Sequence, residues 1–341
     1  MITVRSTNGD VVLTGANGGS AESHTHIGHG GILSNYDVPD SAIDIDAGGA
    51  VTITGSGAQN STMIGHGGER AAGTVFGGEI TVDADNEIRL TGGTNTTAAA
   101  QIGHGGAETD ATLSGDITVT STGNSIFLTG GEALDSFAQI GHGGRLAKGD
   151  KEGAIGLFAR SGGLTLTGGN ENQAYAQVGH GGHDADFTGT RGGTTATSDI
   201  TVETDGDIIL QGTLAGDAAT NTAPQAFAAI GHGGQYTDGD FLGSISVVSN
   251  AGGVSLVGGA SNQVNATIGH GGLQSRGSHD GNIEVHAVND IDVEGGGRDR
   301  SYAQIGHGGD QENQGDNSGA ICVISSDGSV RVLGGSWMPT P

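Results

Sequence analysis

The chain predicts an all-β parallel β-helix, and three observations carry that prediction. The string I-G-H-G-G occurs eight times, starting at Ile27, Ile64, Ile102, Ile140, Val178 (as V-G-H-G-G), Ile230, Ile268 and Ile305. The starts lie 37 or 38 residues apart, except for a step of 52 between Val178 and Ile230. A fixed period of this size marks units stacked on their neighbours. Within each period, short apolar/polar alternations of strand type recur, with no helical periodicity between them. Glycine is abundant, 70 of 341 residues, and clusters where the strands end.

The unit beginning at Asp116 shows the order of its parts. Ile117-Thr118-Val119-Thr120 alternates as a half-buried strand does. Ser121-Thr122-Gly123-Asn124 has the composition of a turn. Ile126-Phe127-Leu128-Thr129 reads as a second strand, closed by Gly130-Gly131. A third strand, Phe137-Ala138-Gln139-Ile140, runs into Gly141-His142-Gly143-Gly144, and a variable charged loop leads on to Ile155. The first apolar residue of strand two follows that of strand one by eight or nine residues in all nine copies, from Ile2 and Val11 to Ile321 and Val330.

Length varies only in two loops, with large insertions between His180 and Ile200 and between Leu210 and Ile230. A rigid coil decorated at two corners has this pattern. The expectation is one solenoid domain over 1–335, three short strands per rung of about 38 residues, eight full rungs and a partial ninth. The rungs end near 31, 68, 106, 144, 182, 234, 272 and 309, the last partial rung reaches 335, and 336–341 form a tail or small cap. At ~4.8 Å per rung the rod would be on the order of 40 Å tall. A β-propeller is the runner-up, but a blade needs four antiparallel strands and the unit offers three. A β-prism comes third.

Composition excludes several functions. Asp and Glu number 38 against 12 Lys and Arg, a net charge of −26. This disfavours nucleic acid, whose phosphates need basic contacts, and anionic membrane surfaces. It favours solubility, cation binding and a saline habitat. No apolar run is long enough to span a bilayer. Cys322 is the only cysteine, so no disulfide forms within the chain. Met1 leads straight into the strand-like Ile2-Thr3-Val4. That start reads as an excised fragment, or as a subunit whose leader was removed, with coils continuing beyond the chain or by end-to-end association.

The period places one histidine of each unit in a single column: His29, His66, His104, His142, His180, His232, His270 and His307. Each shares the parity of its buried isoleucine and should point inward or into the corner. A stack of neutral imidazoles bonded to backbone groups is the structural expectation. Metal is the functional alternative, since rings on adjacent rungs would approach one ion. No cysteine or carboxylate accompanies the histidine at a constant position, which weakens it. His24, His26 and His29 form a local H-x-H-x-x-H cluster, and His180 with His183 a shorter pair. Gly149-Asp150 and Asp238-Gly239-Asp240 are loops of a kind that holds Ca²⁺, but the glycine-aspartate repeat of calcium-binding β-rolls is missing. Carboxylates such as Asp44, Asp46, Asp83, Asp85, Glu203 and Asp205 recur as an outer-face pattern, whereas a catalytic constellation breaks symmetry. No serine-hydrolase, P-loop or dinucleotide fingerprint occurs. No catalytic residue and no bound cofactor are expected.

Two stretches carry a family resemblance. Gly115-Asp116-Ile117-Thr118-Val119, followed by Ser125-Ile126-Phe127-Leu128-Thr129-Gly130-Gly131, resembles the repeats of large bacterial exoproteins of the filamentous-haemagglutinin, two-partner-secretion type. Phe137-Ala138-Gln139-Ile140-Gly141-His142-Gly143-Gly144 and Tyr302-Ala303-Gln304-Ile305-Gly306-His307-Gly308-Gly309 look like an element met in some of them. The likeness spans nearly the whole chain. It implies a right-handed parallel β-helix exported from a Gram-negative cell and acting as a fibre or adhesin shaft. Two departures stand out: a longer unit, and no N-terminal secretion domain in the chain. The function expected is therefore structural and non-enzymatic, at the surface of a bacterium or outside it, with the loop rows touching carbohydrate, cells or sister filaments. A metal- or Ca²⁺-binding module and a carbohydrate-active enzyme are the rivals.

Overall fold

The computed structural model describes residues 1–16, 24–57, 61–186, 198–213, 225–311 and 315–335. Those residues form a parallel β-solenoid of about eight turns with no helix. The first strands of all units stack into a nine-stranded sheet that runs from Ile2–Ser6 to Ile321–Ser325. The second strands make another nine-stranded sheet, from Val11–Thr14 to Val330–Leu333. The third strands, Thr25–Ile27 through Ala303–Ile305, make a sheet of eight.

Like residues lie above like. Ile117 pairs with Ile80 below and Ile155 above, and Val119 with Val82 and Leu157. This register follows from the alternation, because a slip of one residue would turn each buried side chain out to solvent. The first-strand segment Ile117–Ser121 buries every second residue, as do its neighbours, and the inward side chains of the three sheets form one continuous core.

The loop after I-G-H-G-G departs from the expected irregular connection. It carries a fourth, short ladder in two three-stranded pieces: Ala72–Gly77, Asp110–Ser114 and Lys151–Glu152, then Phe241–Leu242, His279–Asp280 and Asn317–Ser318. Its buried residues are too short a run to read as a strand in sequence. They nonetheless stack in register, as Val38, Phe76, Leu113 and Lys151. Much of the two large insertions, and the expected tail or small cap at 336–341, lie outside the described residues.

Lys151 is an outlier in that column. It is buried, and its Nζ donates to the carbonyls of Gly149 (2.8 Å), Ala147 (3.3 Å) and Asp186 (3.4 Å). Burial lowers its pKa to about 7, with nearby Asp186 and Asp150 opposing the shift. A lysine depressed in the folded state costs stability wherever the unfolded chain is charged, below about pH 10.5. Lys151→Met should therefore raise stability at pH 7 by roughly 1–4 kcal/mol, the range for apolar replacement of buried charge. Urea denaturation at pH 7 and pH 11 checks this, because the gain should vanish once the lysine is neutral in both states.

Candidate functional site: the histidine column

Glycine fixes the local geometry of I-G-H-G-G. Gly141, Gly143 and Gly144 all have positive φ, at 151°, 89° and 154°. The backbone leaves the third strand at Ile140 and swings the His142 ring inward, into the corner that faces the start of the first strand. Equivalent rings from His29 to His307 stack in one column, with centroids 4.6–5.2 Å apart and planes within 4–14° of parallel.

From His66 to His307 both ring nitrogens are used, by backbone groups whose roles are fixed. The amide of His104 donates to Nδ1 of His142 (3.0 Å), and the amide of His142 to Nδ1 of His180 (2.9 Å). The pattern runs from the His29 amide to the His307 ring. On the other side of the ring, Nε2 of His104, His142, His180 and His270 donates to the carbonyls of Gly78, Gly115, Gly153 and Gly243, at 2.7–2.8 Å. Ser41 and Ser198 serve His66 and His232 in the same way, and Gly281 serves His307. An amide can only donate and a carbonyl only accept, so each of these rings is the neutral Nε2–H tautomer. Each imidazole ties the preceding coil to its own coil and closes its own coil on the first strand.

Burial is the leading cause of the low pKa values in this column. It brings His66, His142 and His232 to about 4, and puts His104, His180 and His270 well below the usual value of 6.5. The carbonyl bonds pull the other way and do not overcome it. A metal ion would have to break one of two backbone hydrogen bonds on each ring it took. Among the described residues no group of three His, Cys, Asp or Glu side chains is placed to hold a metal.

The local clusters separate. His26 occupies the outward position on its strand, and its Nε2 bonds the carbonyl of Gly65 in the next coil, while His29 belongs to the inner column. His180 is in the column, but His183 lies in a side lobe, with Nε2 on Gln225 Oε1 (2.8 Å) and Nδ1 near Asp184 (3.2 Å). The suggested Ca²⁺ loops have committed groups: the Gly149 carbonyl takes the Lys151 ammonium, and Asp240 Oδ1 accepts the amide of Ser278 (2.8 Å).

Other acids share that corner role. Asp10, Asp116, Asp199, Asp207 and Asp290 each accept an amide of the next coil, at 2.7–2.8 Å. These carboxylates hold the stack together and are not merely solvated surface. The acids singled out on the outer face include Asp46 and Glu203, which pair with Arg5 (2.8 Å) and Arg160 (2.9 Å).

Glutamine is the participant that sequence reasoning overlooked. The amide of Gln139 donates to the carbonyls of Gly179 (2.9 Å) and Gly181 (2.8 Å), and Gln101 and Gln177 do the same one coil down and one coil up. The recurrent Ala-Gln before Ile or Val was the available signal. Outside it, Phe137, Tyr175 and Phe227 form a second stack, with centroids 4.8 Å apart, over the last glycine of each element. Arg145 clasps this lobe through Asp135 (2.9 Å) and Gln173 (2.7 Å).

The chain matches no protein-family model, no curated protein and no solved structure. No helix of the described residues is long and apolar enough to cross a membrane.

Proposed function

We propose that this protein is a non-enzymatic structural element, a rigid segment of an extracellular fibre or adhesin-like shaft that extends by end-to-end stacking. One observation carries the proposal. The coils stack in one direction without a break, and the row that faces the core continues into Ile321 and Val330, in register with buried Ile283 and Ile291. Edge strands with apolar faces template further pairing. All strands in a sheet run the same way, so the edge at one end fits the opposite end of another copy. Such a contact does not close on itself and gives an open filament.

The committed hydrogen bonding of the column supports a mechanical role over a metal-binding one. The resemblance of the repeats to two-partner-secretion exoproteins supports a place outside the cell. The two loop rows would then face sideways, toward carbohydrate, cells or sister filaments. Negative-stain microscopy tests the reading: rods that lengthen with concentration are expected, and Val330→Lys with Val332→Lys should shorten them to single units. Compact, monodisperse particles at every concentration would remove the proposal.

A further inference from the structure

A groove runs along the rod where the second sheet ends, across four successive coils. One wall is the outward column Thr91, Thr129, Thr167 and Gln211, aligned rung on rung, and the same column continues downward through Thr54 and Thr14. Between the walls lie glycine pairs such as Gly130-Gly131, and Glu132 and Asn170 line the other side. About 800 Å³ of space lies in the groove, part of it open to solvent.

The three threonine hydroxyls are uncommitted: no hydrogen bond among the described residues engages Oγ1 of Thr91, Thr129 or Thr167. Several buried hydroxyls elsewhere in the coil are spent on the fold, as Thr109 is on the Gly68 carbonyl (2.8 Å) and Ser121 on that of Asn86 (2.6 Å). A row of spare hydroxyls, repeated at the ~4.8 Å spacing of the coils, suits a ligand whose own polar groups repeat along a straight line. An extended peptide rises about 3.3 Å per residue and falls out of step, and its amides need backbone partners that the strands already use on each other. Among the described residues Glu132 is the only charged one lining the groove, and no lining base stands beside it, which turns away polyanions.

We infer that this groove binds an unbranched, uncharged glycan in an extended conformation, laid along the rod axis with one sugar facing each coil. The groove runs beside the loop row that joins the second and third strands, whose Glu132, Asn170 and Thr213 line it, and the inference holds whether or not the rods join end to end. Calorimetry with cellohexaose, chitohexaose and maltohexaose tests it on the whole protein. Saturable binding is expected for at least one of the two straight β-linked chains, and at least tenfold weaker binding for the coiled α-linked one. The triple variant Thr91→Val, Thr129→Val and Thr167→Val keeps the branched strand residues and removes only the hydroxyls. It should lose at least tenfold in affinity at an unchanged melting temperature, while Thr118→Val on the first sheet changes nothing. Hydrogen exchange on the unaltered protein gives an independent reading, with saccharide-dependent protection expected at 91–94, 129–132 and 167–170. The inference falls if neither straight chain binds, if maltohexaose binds equally well, if the triple variant binds unchanged, or if protection maps elsewhere.

Discussion

Thermal stability should collapse between about pH 6.5 and pH 4, a fall that begins well above the range in which ordinary carboxylates titrate. His66, His104, His142, His180, His232 and His270 all have folded-state pKa values lowered by burial, three of them to about 4. In the unfolded chain these rings take protons as the pH drops below about 6.5, while in the fold they stay neutral. The unfolded state then binds more protons, so the full contribution is present above pH 6.5 and is lost as the pH falls toward 4. Each ring removes roughly 1.4 kcal/mol per pH unit in that window, and six together on the order of 8 kcal/mol for each unit. That rivals the whole stability of an ordinary domain, about 5–15 kcal/mol. Burial raises the pKa values of Asp83, Asp135 and Asp150, which acts in the opposite direction, but these are three groups against six. Urea titrations at half-unit steps from pH 7.5 to 4.5 would measure the slope. His142→Asn should lower stability at pH 7.5 and flatten the slope by about one proton. A melting temperature flat across the window would mean that the rings meet water.

Most of the architecture was legible because it rests on two short-range signals. Alternation placed the strands, and the period of I-G-H-G-G placed each coil over the last, so that Ile27 to Ile305 line up as expected. The inward turn of the histidine followed from its parity with the isoleucine. What could not be read was which backbone group each ring would meet, since Gly78 and Gly115 lie 26 and 27 residues before their rings, just ahead of the first strand. The fourth ladder was hidden for a related reason. Strands such as Lys151–Glu152 span two residues, too few for any alternation to show. His26 was misleading for the opposite reason: its sequence neighbours suggested a ligand cluster, whereas it substitutes for the glutamine that staples coils elsewhere. A repeat identifies a position from its equivalents above and below better than from its neighbours in the chain.

The glycines before the histidines should be the least replaceable residues in the molecule. Gly141 has φ of 151°, and a Cβ added there would sit inside the van der Waals radius of the Gly179 carbonyl oxygen in the next coil. Gly103 stands in the same relation to the Gly141 carbonyl, and Gly179 to that of Gly231. The obstacle is backbone, which cannot rotate aside as a flexible side chain would. Relief would require the coils to separate, and separation would stretch the imidazole bond and both glutamine bonds at that corner together. Gly141→Ala should therefore cost about 3 kcal/mol or more, beyond ordinary overpacking, because several interactions fail at once. Gly31→Ala isolates the cause. Gly31 also has positive φ, at 142°, so alanine suffers comparable backbone strain there, but nothing lies within 4 Å of the added carbon. The cost at Gly31 should stay near 1–3 kcal/mol, the range for backbone strain alone. Equal losses from the two variants, measured by urea denaturation, would show that torsional strain and not coil-to-coil contact sets the demand for glycine. A larger loss at Gly141 would place that demand in the carbonyl of the neighbouring turn, where the spacing of the stack is set.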